Sequence, residues 1–142
     1  MGVADNKALV QRVLAAYSQS DLEPLLAAID PDVVWISQGP VQHCAFGGRH
    51  LGRAGVLAAM SKLAIEYQLH SYEVTELIGE GDVVWMTAQV DFTHNRSRQR
   101  LAFPLVSRWQ IRNGRVLAVT EYYDSASLLL QEGQLAPAAR SA

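Results

Sequence analysis

Residues 108–124 read Arg-Trp-Gln-Ile-Arg-Asn-Gly-Arg-Val-Leu-Ala-Val-Thr-Glu-Tyr-Tyr-Asp. Two apolar-rich runs flank Asn113-Gly114, a dipeptide that accepts positive φ at both central positions of a tight turn, so the stretch predicts a β-hairpin. Its second run carries Glu121 among apolar and aromatic neighbours and stops at Asp124, where a helical pattern begins. A carboxylate in a half-buried strand is costly unless it has a partner or a purpose. Function therefore turns on what Glu121 faces.

Working outward from the hairpin, Ser71–Ile78 alternates, Gly79–Asp82 turns and Val83–Thr93 predicts a long strand. Asn95–Gln99 connects it to a strand over 100–112, and Val116–Tyr123 is the last one. The N-terminal half is helical in pattern. Leu9, Val10, Val13, Leu14 and Tyr17 recur at helical spacing, and Ser20-Asp21-Leu22-Glu23 reads as a capping box for a second helix that ends at Asp30-Pro31. Val33–Ser37 is β-branched and aromatic, hence a strand. A loop holding His43 and Cys44 leads to a third helix over 52–69, and Ser125–Gln131 predicts a short terminal one. Helices ahead of a run of strands imply α+β, an antiparallel sheet with helices on one face. Residues 1–132 are expected to form one domain, with 133–142 a frayed tail.

Composition narrows the classes. Hydrophobic residues make up 49% of the chain and charged residues 18%, with a formal net charge of −2, which fits a globular domain and disfavours nucleic acid as a partner. Arg96, Arg98 and Arg100 cluster beside an expected turn, where a solvated loop accounts for them. The lone Cys44 excludes an internal disulfide and fits a reducing, cytoplasmic setting. No apolar run reaches the roughly 20 residues that span a bilayer. The four histidines show no metal-ligand spacing, and no phosphate-binding glycine loop or other cofactor motif is present. Neither metal nor cofactor is expected.

The order and length of the elements, with Ser20-Asp21-Leu22, Asp30-Pro31-Asp32-Val33-Val34-Trp35, Gly48-Arg49-His50-Leu51-Gly52-Arg53-Ala54-Gly55-Val56 and the closing hairpin with Glu121-Tyr122-Tyr123-Asp124, resemble the nuclear-transport-factor-2-like (NTF2-like) superfamily. That group includes ketosteroid isomerases, limonene epoxide hydrolases and SnoaL-type polyketide cyclases. The resemblance implies a curved sheet wrapped by three helices into a cone, an apolar pocket for a small molecule, and a homodimer through the outer sheet face.

It also lets each chemistry be tested. The isomerase base position falls on Ser37, its helical tyrosine near Val13 with Tyr17 one turn on, and its second acid near Val106, so that set is missing. The epoxide hydrolase positions fall on Asp91, Gln89 and Glu121, with Trp35 and Ser37 where water is held; two carboxylates remain without their arginine. The cyclases need only a last-strand acid/base, and Glu121 stands there. The resemblance thus implies Glu121 and Asp91 as catalytic groups, with Tyr17, Trp35, Ser37, His43, Gln89, Val106 and Tyr123 around the ligand. If Asp91 points inward, so do Trp85, Thr87 and Gln89, leaving Val84, Met86, Ala88, Val90 and Phe92 as an outer apolar stripe for a dimer. Two other readings stand beside these. Glu121 pairs with Arg108 or Arg112 across the hairpin, or the domain only binds a ligand or a second protein.

Overall fold

A computed structural model describes residues 2–136. Asn113 and Gly114 take φ of 52° and 72°, the left-handed values that a type I′ turn requires. They join β5 (Arg100–Arg112) to β6 (Arg115–Tyr123). Ahead of this hairpin run α1 (Val3–Ser18), α2 (Glu23–Ala28), β1 (Ile29–Ser37), β2 (Gly48–Leu51), α3 (Gly52–Glu66), β3 (Tyr67–Glu80) and β4 (Val83–His94); α4 (Ser125–Gln131) follows it. The strands form one open, curved sheet in the order β2-β1-β6-β5-β4-β3. Only the β1–β6 pair among these neighbours is parallel. The fold is α+β, as its pattern predicts.

Several boundaries differ from the expected ones for local reasons. Gly48–Leu51, expected as loop, pairs with Val34–Ser37 as an edge strand. Tyr67–Leu69, expected to end the third helix, instead opens β3 opposite Phe92–His94. Ser20 does not cap α2: it sits at φ 62°, and Asp21 Oδ1 accepts the Glu23 N–H at 3.1 Å instead. The expected frayed tail begins in ordered backbone, because Gly133, Gln134 and Leu135 donate to Leu130, Leu129 and Leu129 carbonyls. The remainder, 137–142, lies outside the described residues.

The largest correction concerns β4. Val84, Met86, Ala88, Val90 and Phe92 are all buried and face the helices, whereas Trp85 and Gln89 are exposed. The apolar set is thus the lining of the cone and not its outer stripe. Burial decides the phase: the helices must cover the apolar side of each strand. With Leu9, Val10 and Val13 of α1, Val56 and Met60 of α3, and Trp109 and Ile111 of β5, these residues make one continuous core. Among the described residues no helix is long and apolar enough to cross a membrane.

Candidate active site in the sheet cavity

The curved sheet does not fill itself. Between its inner face and the helices lies a cavity of about 80 Å³. Its walls are apolar, with Leu14, Leu25, Met60, Val90, Phe92 and Leu105 among them. The polar groups gather on one side, where β6 delivers Glu121 and Tyr123, β1 delivers Trp35 and Ser37, and α1 and β3 deliver Tyr17 and Tyr72. Strand register explains the grouping. Ser37 and Glu121 are partners in the parallel β1–β6 pair, and Glu121 also faces Ser107 on β5.

Glu121 is 8% exposed and has no cationic partner among the described residues. Arg108 stands opposite Thr120 and Trp85, on the other face of the sheet, and Arg112 pairs with Asp82. The cross-hairpin ion pair is not formed. Instead the Trp35 indole Nε1–H donates to Glu121 Oε1 at 2.6 Å. Trp35 is fixed edge-on against Trp109, with ring centroids 5.4 Å apart, and Trp109 Nε1–H donates to Ser107 Oγ at 2.7 Å. Burial pushes the Glu121 carboxyl up to about 7, against the opposing effect of the indole hydrogen bond. Such a carboxyl can give or take a proton near neutrality.

Three phenols surround it. Tyr17 and Tyr72 meet edge to face at 5.3 Å, and burial, with the nearby Glu121 charge, raises both hydroxyls far above their ordinary value. They remain protonated donors. Neither is tied to another side chain among the described residues. Tyr123 accepts from Ser37 Oγ at 3.1 Å and is likewise raised, mainly by burial. Cys44, at the cavity wall, is buried with its thiol pushed up by desolvation, which makes it a poor nucleophile.

Of the residues expected from sequence, the structure brings together Glu121, Tyr17, Trp35, Ser37 and Tyr123. It separates the others. Asp91 lies on the outer face, where Arg100 Nη2 meets Asp91 Oδ2 at 2.9 Å and holds its carboxyl below the usual range. Gln89 and Val106 are exposed on that same face, and His43 lines a second cleft outside the cavity. The Asp91–Glu121 pair is therefore not formed. Tyr72, Phe46 and Tyr67 line the cavity without having been anticipated, and only the apolar company of Tyr72 and Val74 hinted at the first. Among the described residues, no group of three His, Cys, Asp or Glu side chains is placed to hold a metal ion.

The SnoaL-like domain profile matches residues 10–119, which take in most of α1, all of α2 and α3, and the sheet as far as the middle of β6, stopping just short of Glu121. The chain belongs to the SnoaL-like domain family. Solved structures place this SnoaL-like protein in the NTF2-like fold. An NTF2-like protein of unknown function from Burkholderia pseudomallei superposes with a TM-score of 0.83 at 22% identity, covering 92% of this chain and 98% of that one. TerC, co-crystallised with polyporic acid, gives 0.79 at 21% identity over 90% and 98%. A candidate SnoaL-like polyketide cyclase from Mesorhizobium loti gives 0.69 at 16% identity over 87% and 100%. At these identities the likeness concerns fold. No curated protein matches the sequence.

Proposed function

We propose that this SnoaL-like protein binds a small, mostly apolar molecule in the cavity and that Glu121 moves a proton on it, in a cyclisation or isomerisation beside a carbonyl. The observation that carries the reading is a buried carboxyl without a cation, facing an apolar cavity and flanked by phenols. As carboxylate, Glu121 takes a proton from the carbon next to a carbonyl, and the electron pair moves to the carbonyl oxygen. Tyr17 or Tyr72 donates a hydrogen bond to that oxygen. In a cyclisation the carbon then closes on a second carbonyl, whose oxygen receives the proton back from Glu121; in an isomerisation the proton returns at another carbon. The protein ends as it began, and no cofactor takes part. TerC with polyporic acid and the candidate polyketide cyclase support this choice of substrate class.

A substrate found by screening tests the role. Glu121→Gln should cut turnover by about a hundredfold or more while leaving ligand affinity within a few fold; unchanged turnover overturns the assignment. A second reading, a ligand-holding protein without catalysis, draws on the loss of Asp91 from the cavity. Water addition by two carboxylates loses its support for the same reason.

We also propose that the protein is a cytoplasmic homodimer through the outer sheet face. The free Cys44 thiol fits the compartment. The support for pairing is a different set of residues from the one expected. Ile78, Trp85, Val106 and Tyr122 are 37–62% exposed and adjoin one another, since Ile78 pairs with Trp85, Val106 pairs with Tyr122 and Trp85 stacks on Tyr122 at 6.4 Å. An apolar cluster of this kind gains by being covered.

A further inference from the structure

Beyond the cavity, at the end of the sheet where β4 finishes, lies a second and larger cleft of about 490 Å³. Its lining includes His43, Lys62, Glu66, His94, Arg96 and Glu132. The two spaces share Cys44 and Ala45 as a common wall. Three elements also run from one into the other. On β4, Phe92 lines the cavity and His94 the cleft, two residues on along the same face, about 7 Å. On α3 the step goes from Leu63 to Glu66, and at the end of α4 from Leu128 to Glu132, about 4.5 and 6 Å of helix rise. Each step replaces an apolar side chain with a polar one. At the boundary, the Tyr67 ring lines the cavity while its hydroxyl donates to the buried Glu132 of the cleft.

We propose that cavity and cleft are the inner and outer halves of one binding site, and that its ligand is amphipathic: an apolar ring in the cavity and an electroneutral, hydrogen-bonding head in the cleft. The proposal rests on the cavity being a ligand site. The three steps set the spacing, so ring and head are separated by about 4–7 Å, a tether of a few bonds. Charge sets the nature of the head. Lys62 and Arg96 are matched in number by Glu66 and Glu132, so with His43 and His94 neutral the formal charges lining the cleft cancel and favour neither an anion nor a cation. It offers donors and acceptors side by side, which suits hydroxyl or amide groups. Glu121 then acts on the ring end, remote from the head.

Binding of three probes, followed by tryptophan fluorescence and calorimetry, tests this. Toluene reports the cavity alone, 3-phenylpropane-1,2-diol spans both halves, and 3-phenylpropionate carries a charged head. The diol should bind about tenfold tighter than toluene, the worth of one or two net hydrogen bonds. Lys62→Met/Arg96→Met, both exposed positions, should weaken the diol about fivefold and leave toluene unchanged. Equal affinities for diol and toluene, or equal loss of both in the variant, overturn the two-part site while the cavity stands. A propionate that binds tighter than the diol overturns the electroneutral head. If toluene fails to bind, the cavity reading falls and this one with it.

Discussion

Glu121 has a consequence for stability that can be read separately from any reaction. In the unfolded chain its carboxyl titrates at an ordinary 4.5, and in the fold at about 7. Between those values the folded state holds the proton that the unfolded state has lost, so stability falls as pH rises through that window and is level above it. The cost by pH 8 is on the order of 3 kcal/mol. Glu121→Gln, neutral at every pH and still able to accept from the Trp35 indole, should therefore be more stable than the parent at pH 8. At pH 4.5 the two should nearly coincide. Urea melts at the two pH values measure this, and a difference independent of pH would refute it. The tyrosines reinforce the point by contrast: their hydroxyls are raised, so they stay neutral across the same range and add no slope.

At the scale of elements, the hairpin is the part the sequence announces most clearly. Gly114 at φ 72° lies where a side chain is strained, so Gly114→Ala should lower the unfolding free energy by about 1 kcal/mol, read as a lower denaturant midpoint, without changing the cavity; an unchanged midpoint would show that the turn relaxes freely. Element order apart from the edge strand β2, the α+β class and the strand that carries Glu121 were legible because turn chemistry and hydrophobic period act locally. The faces of β3 and β4 were not. A period of two gives two phases, and aligning Asp91 with a catalytic position selected the wrong one for β4, although burying Val84, Met86, Ala88, Val90 and Phe92 gives the right one. On β3 even the period fails. Register shifts between Leu69 and Ser71 and between Val74 and Glu76 put Leu69, Tyr72 and Leu77 opposite the inward Phe92, Val90 and Met86, so inward positions change from odd to even and back. A bulge of this kind leaves little trace in the sequence, which is why Tyr72 went unanticipated. Tyr67 was hidden differently, by the helical pattern that runs on past Glu66.

For the whole molecule, the outer sheet face is where the proposed dimer would form. If Ile78, Trp85, Val106 and Tyr122 are covered by a second copy, the protein should sediment at twice its 15.6 kDa, and Trp85→Glu should return it to that mass with its melting transition still cooperative. A parent that sediments as a monomer would refute the dimer. The parallel pairing of β1 with β6 bears on how the molecule is made. Trp35 and Glu121 meet across 86 residues of chain, and everything between them must be synthesised before the acid has its indole partner. Contacts of such long range slow folding. On the ribosome, then, α1–α3 and the β3–β4 pair can form early, but Glu121 gains its setting only after the last strand emerges. A nascent chain arrested before that strand would leave β1 unjoined to β5 and the cavity without its buried carboxyl.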